Sequence, residues 1–128
     1  MIRVQIASLP ERVEMLRKTV ESLRPQVDEI FVGLNNYGIT PDFLKEGEFA
    51  HFDNSRGDAV KFYNVEKFRG YFFSCDDDLI YPLDYVKKLI AAIKKYKCIV
   101  TLHGKTYRDN PRSFTDFMGV YRCLDDVS

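Results

Sequence analysis

Apolar residues alternate with polar ones from Ile2 to Ala7, and this period of two predicts a short strand with one side facing a core. Ser8-Leu9-Pro10-Glu11-Arg12 follows as a turn leading into a helix. Val13, Leu16, Val20 and Leu23 then recur at three- and four-residue spacing, which marks one apolar helix face. That helix should end before Pro25, because a proline disfavours helical backbone at the residue preceding it. The continuous run Ile30-Phe31-Val32-Gly33-Leu34 predicts a buried strand, closed by the turn-forming Asn35-Asn36-Tyr37-Gly38. Residues 39–47 carry no clear period and suggest at most one helical turn, while Glu48 to Phe52 reads as a third strand.

Beyond the loop-like Asn54-Ser55-Arg56-Gly57-Asp58, Ala59 to Lys67 predicts a short helix, and Gly70 to Cys75 a fourth, aromatic strand. Pro82 suits the first turn of the next helix, whose apolar face is Val86, Leu89, Ile90, Ile93 and Tyr96 and whose wet face is Lys87, Lys88, Lys94 and Lys95. Cys98 to Leu102 reads as a fifth strand, and the chain from His103 onward is loop-rich. Strands alternating with helices predict an α/β fold, a mostly parallel sheet with helices on both faces.

Composition narrows the class. A chain of 128 residues, 45% hydrophobic and 30% charged, fits one compact domain over residues 1–128. Nineteen basic and nineteen acidic residues cancel, so no global field draws the chain to nucleic acid, and any phosphate binding must be local. Three widely spaced cysteines favour a reduced, cytoplasmic compartment. No segment approaches the ~20 apolar residues of a membrane span. The lysine-rich helix face and Lys105, Arg108 and Arg112 read as solvated surface, with peripheral contact to the inner face of a membrane as the lesser option.

The chemistry concentrates in Asp76-Asp77-Asp78, directly after the fourth strand. Open parallel sheets bind ligands beyond the carboxyl ends of their strands. Three adjacent carboxylates repel one another and call for a cation; oxygen-only ligands suit Mg²⁺ or Mn²⁺ completed by phosphate and water. The plainer reading is that the acids cap the following helix, but capping requires only one of them.

The segment Phe72-Phe73-Ser74-Cys75-Asp76-Asp77-Asp78-Leu79-Ile80-Tyr81-Pro82 resembles the strand-end Asp-x-Asp motif of GT-A-fold glycosyltransferases, particularly the family-2 type. Ala7-Ser8-Leu9-Pro10-Glu11-Arg12 is similar to that family's first strand and loop, and Gly57-Asp58-Ala59-Val60-Lys61 to a segment of related bacterial sugar transferases. The resemblance covers about the first hundred residues, the nucleotide-binding half of such proteins. It implies a Rossmann-like sheet shortened at its C-terminus, a nucleotide-sugar donor, a saccharide or lipid-linked acceptor and a role in polysaccharide biosynthesis. By the same resemblance Ala7, Ser8 and Arg12 cradle the nucleoside, Asp58 and Lys61 contact base, ribose or phosphate, and Asp76 contacts the ribose or a metal-bound water. Asp78 ligates the metal, and Asp77 can substitute for either.

Each supporting residue also has a bland reading. Asp58 and Lys61 can be an exposed pair at a helix start, and Arg12 a solvated first-turn arginine. His103 falls on the ligand edge if a fifth parallel strand precedes it, and could then reach the metal; a lone strand-end His is more often a hydrogen-bonded surface residue. Tyr81 and Tyr107 are the two aromatics open to sugar stacking. The general base is not identifiable: Asp109, Asp116, Asp125 and Asp126 qualify only by residue type. Receiver domains and haloacid-dehalogenase-type phosphatases are excluded, since both need an Asp after the first strand, which here ends Ala7-Ser8. A noncatalytic nucleotide-sugar or metal-binding module, or an inactive truncated remnant of a transferase, is the strongest rival, and a shortened sheet suggests a homo-oligomer.

Overall fold

A computed structural model describes residues 1–110, 112, 113, 115 and 117–121. The chain divides into two compact units, Met1–Lys88 and Leu89–Ser128. In the first, β1 (Ile2–Ser8), β2 (Glu29–Leu34), β3 (Glu48–Phe52) and β4 (Tyr71–Cys75) form one sheet in the order β3-β2-β1-β4. All three pairings are parallel: Val4 lies opposite Ile30 and Phe73, and Val32 opposite Ala50. This is the α/β, Rossmann-like architecture that the alternating elements predict.

Paired residues of a parallel sheet share a face, so Val4, Ile6, Ile30, Val32, Leu34, Phe73 and Cys75 form one side, and all are buried. Helix α1 (Val13–Leu23) contributes Leu16, Val20 and Leu23 to the same core, each with 0% exposure. The helix continues as a 3₁₀ turn, Arg24–Gln26, with Pro25 inside it. Arg24 Nε donates to Glu48 Oε1 at 2.5 Å and ties this end to β3. Burial alone would raise the Glu48 carboxyl, but the hydrogen bonds from Arg24 and the Lys45 backbone, with the charges of both residues, together outweigh it and leave Glu48 below the usual range.

The opposite face carries Gln5, Ala7, Phe31 and Gly33 and is covered by residues 57–67. The sequence predicts a short helix from Ala59 to Lys67, whereas the backbone forms two 3₁₀ segments, Gly57–Phe62 and Val65–Lys67. Asn64 takes left-handed backbone at φ 55°, which interrupts a continuous α-helix across that segment, and Gly57 at φ 54° turns the chain into it. The segment packs closely on the sheet: a Cβ on Gly33 would fall 2.2 Å from Val60 Cγ1, so only glycine lets Val60 seat against β2. Gln5 Nε2 donates to the Tyr63 carbonyl at 3.0 Å, and His51 stacks on Tyr63 with centroids 4.3 Å apart.

Other expectations are corrected. Residues 39–47 form separate turns, with Leu44 N donating to Pro41 O and Glu48 N to Lys45 O. Helix α2 (Tyr85–Tyr96) starts three residues after Pro82, which instead accepts a bond from Tyr85 N and precedes the helix. The fifth strand is absent at residues 98–102. Lys97 turns left-handed at φ 53° to end α2, and Ile99 is 99% exposed. β-prone side chains make a strand only where a neighbouring strand pairs with them, and Cys98 to Leu102 have none. The strands of the second unit are β5 (Gly104–Tyr107) and β6 (Phe117–Tyr121), an antiparallel pair with an irregularity at Thr106/Tyr107. Among the described residues no helix is long and apolar enough to cross a membrane.

Candidate functional site

In the order β3-β2-β1-β4, the chain builds outward from β1 through β2 to β3 and then crosses to the other side of β1. The carboxyl ends of β1 and β4 therefore flank a topological switch point, where diverging connections leave a crevice. A cleft of about 460 Å³ opens there, within the ~300–1,000 Å³ of small-molecule sites. Ala7, Ser8, Leu9 and Arg12 line it from the end of β1, Asn35 and Asn36 from β2, Asn54, Gly57 and Asp58 from the loop beyond β3, and Asp76 to Asp78 from β4.

Each wall is fixed by bonds to its neighbours. Asn35 N donates to Ser8 O at 3.0 Å, extending the β1–β2 ladder, and Asn35 Nδ2 donates to Gly57 O at 3.0 Å. Ser8 Oγ lies 3.1 Å from Tyr37 Oη, whose hydroxyl donates to the Leu9 carbonyl. Asp53, buried beneath the Asn54 loop, accepts from Ser55 N and Oγ and from Arg56; the Ser55 bonds, with the arginine, hold its carboxyl far below the usual range. The acidic loop is anchored from α1. Thr19 Oγ1 reaches the carbonyls of Asp77 and Leu79 at 3.0 and 2.7 Å, and Tyr81 N donates to Ser22 Oγ at 3.0 Å.

The three acids are not equivalent. Asp77 is 3% exposed and accepts from Arg12 Nη1 at 3.0 Å, while its Oδ2 has no partner. That hydrogen bond raises the Arg12 guanidinium above its ordinary value. Asp76 and Asp78 are both exposed; Asp76 pairs with Lys61 Nζ at 3.1 Å, and Asp78 Oδ2 stands 3.9 Å from Arg12. Lys61 also holds Asp58 Oδ2 at 2.9 Å. Burial pulls the Lys61 ammonium down, but the two carboxylates outweigh it and leave it raised. Four carboxylates thus meet two cations, an excess of two negative charges at the rim.

No family model and no curated protein matches the chain. Local geometry therefore decides what the site can do.

Ala7, Ser8, Arg12, Asp58 and Asp76 to Asp78 converge on one cleft, and Lys61 joins them through its two ion pairs. His103 belongs to the second unit and sits before β5, not at the end of a parallel strand, because the strand expected to precede it does not form. Tyr81 is 9% exposed: its hydroxyl accepts from Asp76 N at 2.9 Å, so it orients the loop and does not present a stacking face. Burial raises its phenol, and likewise pushes the Cys75 thiol up to about 11. Tyr107 lies on β5. Asp109 is in the turn after β5, and Asp116, Asp125 and Asp126 lie outside the described residues.

Asn35, Asn36 and Asn54 are cleft residues that sequence reasoning treats as turn formers. Asn35 is 6% exposed and its Oδ1 has no partner, a second orphaned acceptor in the lining beside Asp77 Oδ2. The signal was present in their position, since polar amides directly follow a strand bound for the ligand edge. Among the described residues no group of three His, Cys, Asp or Glu side chains is assembled as a metal cage. The exposed carboxylates of Asp76 and Asp78 suit the sparse protein ligation of Mg²⁺ or Mn²⁺, which draws its remaining ligands from phosphate and water.

Proposed function

We propose that the cleft binds a nucleotide sugar together with Mn²⁺ or Mg²⁺, and that the chain transfers the sugar to a saccharide or lipid-linked acceptor. The observation that carries this reading is the position of the acids: they rim a nucleotide-sized cleft at the switch point between β1 and β4. The excess of two negative charges suits one divalent ion. Asp78 and Asp76 would hold it, and a bound ion would supply Lewis-acid neutralisation of the departing diphosphate. Ala7 and Ser8 present a small, close wall to the nucleoside. Arg12 keeps Asp77 in place, and Asp58 and Lys61 offer an acceptor and a cation to ribose and phosphate. The resemblance of residues 72–82 to the GT-A Asp-x-Asp segment agrees with this chemistry. We place the activity in the cytoplasm, next to the membrane where the acceptor is lipid-linked.

One observation favours a second reading. Arg12 and Lys61 already pair with acids of the rim, so the protein tolerates its carboxylates without metal and could bind a donor without turnover. Calorimetric titration of UDP- and GDP-sugars with and without Mn²⁺, followed by an assay for released nucleoside diphosphate, separates the two. The transferase reading expects metal-dependent binding with release. Binding without release selects the module, and no binding of either donor rejects both.

A further inference from the structure

The two cations of the rim differ in what it takes to separate them from their acids. Arg12 holds Asp77, which is 3% exposed; removing that partner would strand a buried charge, so the pair is a fixed part of the fold. Lys61 holds Asp58 and Asp76, whose side chains are 77% and 59% exposed, and water can replace it at both. Its backbone cannot move with it, because the adjacent Val60 is fully buried in the notch left by Gly33. The Lys61 side chain is itself only 12% exposed, so its stem is packed in the fold and its ammonium sits between two cleft residues, where rotation about its terminal bonds is what can redirect the charge. Asp77 and Asn35, both more than nine-tenths buried, each leave one oxygen unpartnered in the same lining, which marks the cleft as built for a ligand.

We propose that Lys61 is an exchangeable counter-ion: it neutralises Asp76 in the ligand-free protein and, once Asp76 is engaged by a divalent ion, swings its ammonium to the donor's diphosphate. This rests on the nucleotide-sugar reading above and adds to it a residue that couples metal and donor binding. Lys61 competes with the metal for one carboxylate and cooperates with the metal on the anion. Its removal should therefore move the two affinities in opposite directions.

Two measurements test the exchange. In titration calorimetry, Lys61→Gln should bind Mn²⁺ alone about two- to fivefold tighter than wild type, the effect of freeing one carboxylate from a partly exposed pair. The same variant should bind UDP or GDP, with Mn²⁺ present, about tenfold more weakly. On the wild-type protein, acetylation of Lys61 followed by mass spectrometry should be slow without ligand, faster with Mn²⁺ alone and slow again with Mn²⁺ plus UDP or GDP, while Lys18 and Lys87 stay constant. The labelling arm needs no variant and stands if Lys61→Gln fails to fold. Equal Mn²⁺ and nucleotide affinities in wild type and variant, or Lys61 labelling that ignores bound Mn²⁺, would overturn the exchange and leave the donor reading intact. Failure of the wild type to bind Mn²⁺ and both nucleotides would remove the two together.

Discussion

At the scale of single residues, the cleft depends on side chains that never touch a ligand. Gly33 is the clearest case: a methyl group there would fall 2.2 Å from Val60 Cγ1 and force the Gly57–Phe62 segment outward. Gly33→Ala should cost about 1–3 kcal/mol, the range of core overpacking. Urea denaturation should show this as a lower midpoint, and adding Val60→Ala should recover much of the loss, which an effect on strand propensity alone would not allow. Asp53 gives a pH signature. The hydrogen bonds of Ser55 and the charge of Arg56 depress its carboxyl in the folded protein, so its contribution is complete above the unfolded value of about 3.9 and is lost as pH falls below it. Stability measured from pH 5 downward should therefore fall more steeply in wild type than in Asp53→Asn. Parallel slopes would show that the Asn54 loop draws no stability from that carboxylate.

At the scale of elements, what the sequence discloses depends on whether a pattern is local. Strands β1 to β4 and helix α1 are legible because their periods, the proline after α1 and the asparagine turn after β2 all lie within the segments concerned. Cys98 to Leu102 has the composition of a strand yet lacks a neighbour to pair with, and pairing is not written in five residues. Ala59 to Lys67 reads as a short helix, but left-handed backbone at Asn64 divides it, and the seat of Val60 depends on a glycine on another element, Gly33. The acids of the rim were visible as a motif; their arrangement was not. That Asp77 turns inward to Arg12 while Asp76 and Asp78 stay exposed follows from how α1 grips the loop, a contact spanning 58 residues between Thr19 and Asp77. Thr19→Val tests this grip. It removes the hydroxyl that serves the Asp77 and Leu79 carbonyls and should cost about 1–3 kcal/mol for buried groups left unsatisfied. Mn²⁺ affinity should fall along with stability; a stability loss with unchanged metal binding would show that α1 does not set the geometry of the acids.

At the scale of the whole molecule, a net charge of zero conceals a local imbalance: the rim alone carries an excess of two negative charges. Metal and nucleotide should consequently depend on one another. A nucleoside diphosphate meets a negative rim unless a divalent ion is present, and the ion completes its shell only with phosphate or water. Ligands that bind the folded state alone stabilise it by mass action, about 2.7 kcal/mol at a hundred times the dissociation constant. For a chain of this size that corresponds to a rise in melting temperature of roughly 8–15 °C. Thermal melts should therefore show a small shift with Mn²⁺ or UDP alone and a larger one with both, the excess exceeding the sum of the single shifts. Asp78→Asn removes an exposed carboxylate without disturbing Arg12–Asp77, so it should leave the ligand-free melting temperature unchanged and abolish the excess. Persistence of the full shift in that variant would mean that the ion is held elsewhere. Raising the salt tests the same imbalance from the other side: because Arg12 is the one basic residue lining the cleft among the described residues, joined by Lys61 through its pairs with Asp58 and Asp76, nucleotide affinity should weaken modestly, without the steep dependence of a polyanion-binding surface.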